Sequence, residues 1–324
     1  MRALICKDFA PYDQLSVEDV PEPPLGEGMV MIDVRAAGVN FPDILLVEGK
    51  YQMKPPTPFI PGMEAAGVVS ALGEGVANIA QGDRVIAATM LGAFAEKVPV
   101  HSSQIVPMPD AMSFEEGAAL TTIYGTSYHA LKDRAKLKAG ETVLVLGAAG
   151  GVGVATVQIA KAMGARVIAA ASSGEKLDFA RENGADELIN YSTEDLKARV
   201  KELTGGKGVD VVYDPVGGDF SEAALRATGW DGRFLVIGFA SGPIPKIPLN
   251  LALLNSRNIL GVFWGAWAGS HPRENALNMK EIFDLYEAGK IKPQISAAYA
   301  LDDYRSAFED LMGRKVKGKV VLTP

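Results

Sequence analysis

The stretch Val145–Gln158, VLGAAGGVGVATVQ, sets four glycines, Gly147, Gly150, Gly151 and Gly153, between an apolar run and a periodic one. From Thr142 to Ala160, nineteen consecutive residues carry no charge, enough by length alone to span a membrane, and Gly147 and Gly151 stand in GxxxG spacing. The pattern decides against a span. Each glycine at the midpoint weakens a continuous helix by about 1 kcal/mol. TVLVL ahead of them is short and β-branched, as a buried strand is, and VATVQIAKAMGA behind them repeats its apolar residues at helical intervals and stops at Gly164. Strand, turn and helix are predicted.

A turn that runs from a strand's carboxyl end straight into a helix leaves the first helical N–H groups unpaired, and the positive end of the dipole there favours an anion. A side chain at Gly147 would strain the turn, at Gly150 would block a phosphate, and at Gly153 would hold the helix off the sheet. A pyrophosphate meets these conditions, with Ala149, Gly151 and Val152 completing the contact. The spacing is GxxGxxG, a departure from the common GxGxxG, so a glycine-rich turn without a ligand is the competing explanation. The unit then recurs along the chain: ARVIAAA, DELINY, VDVVYDPVG, GRFLVIGF and NILGVFW alternate with helical segments. Such alternation makes a doubly wound parallel sheet, a Rossmann domain of six strands over residues 124–263, with ligand expected beside Gly147 and the loop after Tyr213.

The end of the second strand chooses between the two nicotinamide dinucleotides. An acid about twenty residues beyond the glycines accepts a ribose hydroxyl, whereas a 2′-phosphate needs donors or cations there. The strand runs out in Ala171, Ser172 and Ser173; Glu175 is the nearest acid, and its S-x-x-E spacing from Ser172 reads as a capping box. Lys176 stands in the first helical turn, where the dipole disfavours a cation, so it serves either a bound anion or only solvent. Tyr191, at the end of the third strand, points the choice toward the phosphate, and NADPH is the expected coenzyme.

The length of 324 residues implies two domains, and 48% hydrophobic with 22% charged residues fits a globular chain. A net charge of −7 with no Lys/Arg run argues against nucleic acid, and the N-terminus has no signal-peptide core, so a cytoplasmic protein is expected, with no membrane partner. The single cysteine, Cys6, reads as a small buried hydrophobe in a first strand; it excludes a disulfide and a four-thiolate zinc lobe, and His101, His129 and His271 have no metal-ligand spacing. No metal site is expected. The first 120 residues alternate like a compact β-rich domain, and the tail, KEIFDLYEAGKI, LDDYRSAFEDLMGR and GKVVLTP, is predicted as two helices and a strand that return to it.

AAGVNFPDILLVEGKY, PFIPGMEAAGVVSALGEGV, QGDRV, LGAAGGVG and GKVVL, in that order across nearly the whole chain, resemble the zinc-free quinone oxidoreductase (zeta-crystallin-like) branch of the medium-chain dehydrogenase/reductase superfamily. The resemblance implies an α/β protein: a discontinuous GroES-like β-rich catalytic domain, residues 1–123 and 264–324, around the Rossmann domain, and a homodimer with NILGVFW as the edge strand. It also marks departures. Asn40 stands near the position of a zinc-binding cysteine in the family's alcohol dehydrogenases, Met63 where a histidine adjoins the glutamate, and Leu45 where a second tyrosine is common. Glu64, without zinc, is read as a structural acid in a turn.

By the same resemblance Asn40 and Tyr51 line the nicotinamide and substrate cleft and donate hydrogen bonds to a substrate carbonyl, a turn-forming asparagine and a packed tyrosine being the plainer alternatives. Thr126, at the start of its helix, corresponds to a threonine near the nicotinamide amide; Gly238, Phe239 and Ser241 follow the fifth strand on the nicotinamide side; Phe263 and Trp264 either wall the cleft or belong to the core; Arg314 resembles a basic residue that holds the 2′-phosphate. Without a Lewis acid for an alkoxide, the expected acceptors are already electron-poor, a quinone or an enone. An enoyl-thioester (2-enoyl-CoA type) reductase and a non-catalytic NADPH-binding protein are the alternatives.

Overall fold

The computed structural model describes residues 1–324, and its first strands begin where the apolar alternation does. β1 (Arg2–Ile5) pairs antiparallel with β2 (Ser16–Asp19). β3 (Met29–Val39) runs into a short helix, α1 (Phe41–Val47), and is followed by β4 (Glu64–Leu72), β5 (Arg84–Ala88), β6 (Lys97–His101), β7 (Ile105–Pro107) and α2 (Phe114–Ala118). β3 is the spine of this sheet, antiparallel to both β4 and β6, while β5 joins β4 and β7 joins β5. Cys6 is fully buried in this core as expected, but just past the end of β1, in a single bridge to Phe59, and burial pushes its thiol up to about 11.

The TVLVL run becomes β8 (Thr142–Leu146), after α3 (Thr121–Tyr128), and the periodic run becomes α4 (Gly151–Ala162). Then come β9 (Arg166–Ala171), α5 (Gly174–Glu182), β10 (Glu187–Asn190), α6 (Leu196–Leu203), β11 (Val209–Asp214), α7 (Asp219–Ala227), β12 (Thr228–Val236), α8 (Asn250–Leu253) and β13 (Asn258–Gly261), with α9 (Trp264–Ser270) and α10 (Pro272–Glu287) beyond. All neighbours in this six-stranded sheet are parallel, in the order β10-β9-β8-β11-β12-β13. The order reverses between β8 and β11, which opens a crevice at their carboxyl ends. The charge-free stretch is explained by burial: Val143–Leu146 are 0% exposed, and α4 is covered from Gly153 to Ala160. No helix is long and apolar enough to cross a membrane.

The tail supplies β14 (Ile295–Ala300), α11 (Tyr304–Met312) and β15 (Lys319–Thr323). β15 lies parallel to β14 and antiparallel to β3, pairing Val320 with Val39 and Leu322 with Ala37, so a strand from the chain's end completes the sheet begun by its start. Tyr304 and Phe308 of α11 are buried in the first core, each stabilising it by roughly 1.5–3 kcal/mol.

The chain divides into two compact units, Met1–Thr122 with Pro293–Pro324, and Ile123–Lys292. The second crossing thus follows Lys292, whereas the sequence pattern predicts a boundary at Phe263 and places the KEIFDLYEAGKI helix in the catalytic domain. The reason is a set of polar pairs. Glu281 of α10 accepts from Lys132 and from Tyr128 (2.6 Å), Asn278 donates to Asp133 (2.8 Å), and the Gln158 amide of α4 pairs with both the N–H and the carbonyl of Lys292 (3.0 Å each).

Candidate functional site

In the second unit the three spaced glycines do three different things. Gly147 has φ 59°, a left-handed turn that a side chain would strain. At Gly153 an added Cβ would lie 2.2 Å from the Gly147 carbonyl oxygen, so the helix can sit on the turn only without one. At Gly150 the nearest atom to such a Cβ would be 3.5 Å away and nothing else lies within 4 Å: the position is open, as a phosphate approaching the backbone requires. Gly150 is also the N-cap of α4 and offers no side chain to it, so no side chain caps the amides of Gly151 and Val152. Ala149 stays buried in the turn.

At the end of β9, Ser173, with Ser172 beside it, is the helix N-cap: its backbone is extended and its Oγ accepts from the Lys176 N–H (3.4 Å). The predicted Ser172–Glu175 capping box is therefore corrected by one position, because β9 continues its pairing through Ala171 with Asn190 and Ala171 then takes the N–H of Tyr191 (3.1 Å). The shift leaves Ser172 exposed, with Lys176 Nζ 3.5 Å from its Oγ. No acid ends the strand. Tyr191, half-buried, rests on Phe220 with ring centres 4.3 Å apart.

Two further loops join the glycine turn along the same sheet edge. Buried Asp214 at the end of β11 accepts from the N–H groups of Val216 and Gly217 (2.9 Å each) and from Ser221 Oγ, and burial holds its carboxyl above the usual range. The loop it shapes receives the Ser241 N–H at Val216 O (2.8 Å) and packs Gly217 under Phe239. Gly147, Gly238, Phe239 and Ser241 are thus gathered, and Ser241 Oγ is buried with no hydrogen-bond partner in the chain. Thr126 is half-buried well inside α3, a correction to its expected place at the helix start. Trp264 lies against Gly125, where a Cβ would be 2.6 Å from its ring, and gives its N–H to Asn275 (3.1 Å), a packing role. Phe263 is 58% exposed and lines a cavity of about 280 Å³ with His129, Arg134 and Trp267.

In the first unit, Asn40 caps α1 at the end of β3, and strand register brings two distant residues to it. Lys319, the first residue of β15, gives Nζ hydrogen bonds to Asn40 Oδ1 and to Glu64 Oε1 (2.6 Å), and all three residues are at most 5% exposed. Asn40 Nδ2 points its two hydrogens at Glu64 Oε1 (2.8 Å) and the Gly38 carbonyl (3.3 Å). That corrects the expected donation by Asn40 to a substrate carbonyl, since its amide is spent inside the protein. Glu64, expected in a turn, opens β4 and also accepts from the Thr122 N–H (2.7 Å). The carboxylate fits because Gly38 has no side chain: a Cβ there would stand 2.5 Å from Glu64 Oε1. Asp43 accepts the Asn40 N–H on Oδ2 (2.8 Å), is fully buried, and is pushed by that burial up to about 7. Tyr51, half-buried after α1, has its phenol held above the usual range by burial and then by the charge of Asp43. Arg314 is exposed in this unit, in a turn of positive φ (55°) after α11.

Asp43, Lys319 and Asp214 escaped the sequence reading as site residues. Asp43 follows Asn40 in N-x-x-D spacing, a cap signal and a usable hint, whereas Lys319 ends the basic segment RKVKGK and nothing local sets it apart from the cations before it.

Residues 26–110 match the family described as alcohol dehydrogenase GroES-like domain, and residues 151–281 the one described as zinc-binding dehydrogenase. The quinone oxidoreductase-like protein 2 homolog of Nematostella vectensis is 39% identical over 99% of this chain and 88% of its own. A crystal structure of Escherichia coli quinone oxidoreductase complexed with NADPH superposes with a TM-score of 0.92 at 32% identity, covering 100% of both chains. A mycobacterial protein, Rv1454c, also complexed with NADPH, gives a TM-score of 0.94 at 34% identity over 100% of both. Despite the second family description, no three His, Cys, Asp or Glu side chains are grouped to hold a metal ion.

Proposed function

Because the chain belongs to the zinc-free quinone oxidoreductase branch of the medium-chain dehydrogenase/reductase superfamily, we propose that it is an NADPH-dependent reductase that delivers a hydride to a quinone or related conjugated carbonyl without a metal. The observation that carries the coenzyme is the open, uncapped helix start at Gly150 beside a strand end that bears serines and a lysine but no acid. Ser172, Ser173, Lys176 and Tyr191 would hold the 2′-phosphate from this unit, and the orphaned Ser241 hydroxyl offers a further contact. Bound NADPH supplies the hydride from its dihydronicotinamide ring. Tyr51 is the donor we assign to the acceptor's oxygen: its raised pKa keeps the phenolic hydrogen in place through neutral pH, and the Asn40 amide holds the Glu64 carboxylate and the Gly38 carbonyl rather than the substrate. The buried acid near Asn40 is neutralised by an ammonium group, Lys319, so the place suits no cation.

Rates of NADPH oxidation with 1,2- and 1,4-quinones beside crotonyl-CoA, before and after dialysis against a chelator, test the proposal. Quinone turnover that survives chelation supports it; turnover of the thioester alone assigns the enoyl-thioester reaction, and NADPH binding without turnover leaves a binding protein. Lys176→Ala is expected to weaken NADPH about tenfold and NADH hardly at all, read by fluorescence titration, since one charge-assisted phosphate contact is worth about 1.5 kcal/mol. An equal loss for both would remove Lys176 from the phosphate site. The unpaired edge of β13, where Ile259 is 40% exposed, is where we place the homodimer contact. Ile259→Arg is expected to yield monomers in sedimentation, and an unchanged dimer would move the contact elsewhere.

A further inference from the structure

We infer that Asp43 is a positioning residue of the reductase site, the neutral carboxyl that fixes Asn40 by its backbone N–H and leaves the charge of Lys319 to Asn40 and Glu64 alone. The inference rests on the reductase function proposed above, because Asn40 and Tyr51 are the groups it would position.

Donor counting separates the two buried acids. Glu64 receives Lys319 Nζ, Asn40 Nδ2 and the Thr122 N–H, three donors for one charge. Asp43 receives one, on Oδ2, and its Oδ1 is buried with no partner. One ammonium and two carboxyls out of water make a neutral set only if a single carboxyl is ionised, and the donors assign that ionisation to Glu64. The charged groups that act on Asp43 are Lys319 from β15 and Glu64 from β4, and its own charge acts on the Tyr51 phenol. Ionised Asp43 would therefore compete for Lys319, pulling it from Asn40, and would make Tyr51 a poorer donor.

The pH profile of quinone reduction tests this in wild type and in Asp43→Asn, which keeps an oxygen for the Asn40 N–H but cannot ionise. The wild-type kcat is expected to fall as pH rises through about 7, whereas the Asp43→Asn profile stays level there, whatever its height. A mutant that keeps the wild-type fall would overturn the inference. A second measurement needs neither turnover nor the mutant's folding: the infrared carbonyl band of an un-ionised carboxylic acid should be present in the wild-type protein below about pH 7 and vanish above it. Its absence would overturn the inference even if quinones are reduced; its presence with no turnover would count against the reductase proposal instead. Stability gives a third reading, with its sign fixed by linkage. The folded-state value of about 7 lies above the ordinary 3.8, so wild type loses stability as pH rises between them, and Asp43→Asn should not.

Discussion

Lys319→Met is expected to destabilise the first unit by about 3–5 kcal/mol, the cost of leaving a buried charge without its partner. Glu64 is 0% exposed and Lys319 3%, so water cannot take over when the ammonium is removed. The loss spreads further than one ion pair. Lys319 is also the donor to Asn40 Oδ1, so the mutant leaves that acceptor unpaired and leaves Glu64, still hydrogen-bonded by Asn40 Nδ2 and the Thr122 N–H, without its counter-charge. Lys319→Met combined with Glu64→Gln should recover more than half of the loss, because the amide oxygen still accepts from Asn40 or Thr122 and no charge is stranded. Urea unfolding at neutral pH, followed by a probe in the first unit, measures both. A single mutant within about 1 kcal/mol of wild type would mean that the pair behaves like a surface salt bridge and does not organise the site.

How much of this was legible in the sequence depends on how far apart the interacting residues lie. The turn at Gly147–Gly153 was readable because all its physics is local: a β-branched run, glycines at fixed intervals, and a helical period beyond. The alternation beyond that turn revealed the other five parallel strands for the same reason, while their order depends on which side of β8 each crossover returns to, and the alternation does not say. Asn40 and Lys319 stand 279 positions apart and meet only through the pairing of β15 on β3, which no local pattern reports. The same limit misplaced the second domain boundary: α10 reads as an amphipathic helix from its own residues, but its partners Lys132 and Asp133 lie near the other crossing. The Ser172 and Ser173 error is smaller and of another kind. Two adjacent serines are equal candidates for a cap until the strand before them is known to end at Ala171.

Gly150→Ala and Gly153→Ala, three residues apart in one turn, are expected to fail in opposite ways. At Gly153 the new methyl would meet the Gly147 carbonyl oxygen at 2.2 Å and the Ala148 Cα at 2.8 Å, both backbone atoms that cannot swing aside, so helix α4 must lift from the turn. A loss of about 3 kcal/mol of stability is expected, with coenzyme affinity falling as a consequence. At Gly150 the backbone, φ −74° and ψ 169°, suits alanine, and the methyl meets only the Gly147 carbonyl oxygen at an ordinary 3.5 Å. The poorer cap and the stiffer unfolded chain offset one another, leaving stability within about 1 kcal/mol of wild type. The methyl then stands in the open space assigned to the pyrophosphate, and NADPH should bind on the order of 100-fold more weakly, equivalent to about 2.7 kcal/mol. Thermal unfolding and fluorescence titration on both variants separate the outcomes. Gly150→Ala that binds NADPH as wild type does would move the phosphates off this helix, because no damage to the fold would be there to excuse the result and the proposed contact leaves no room for a side chain.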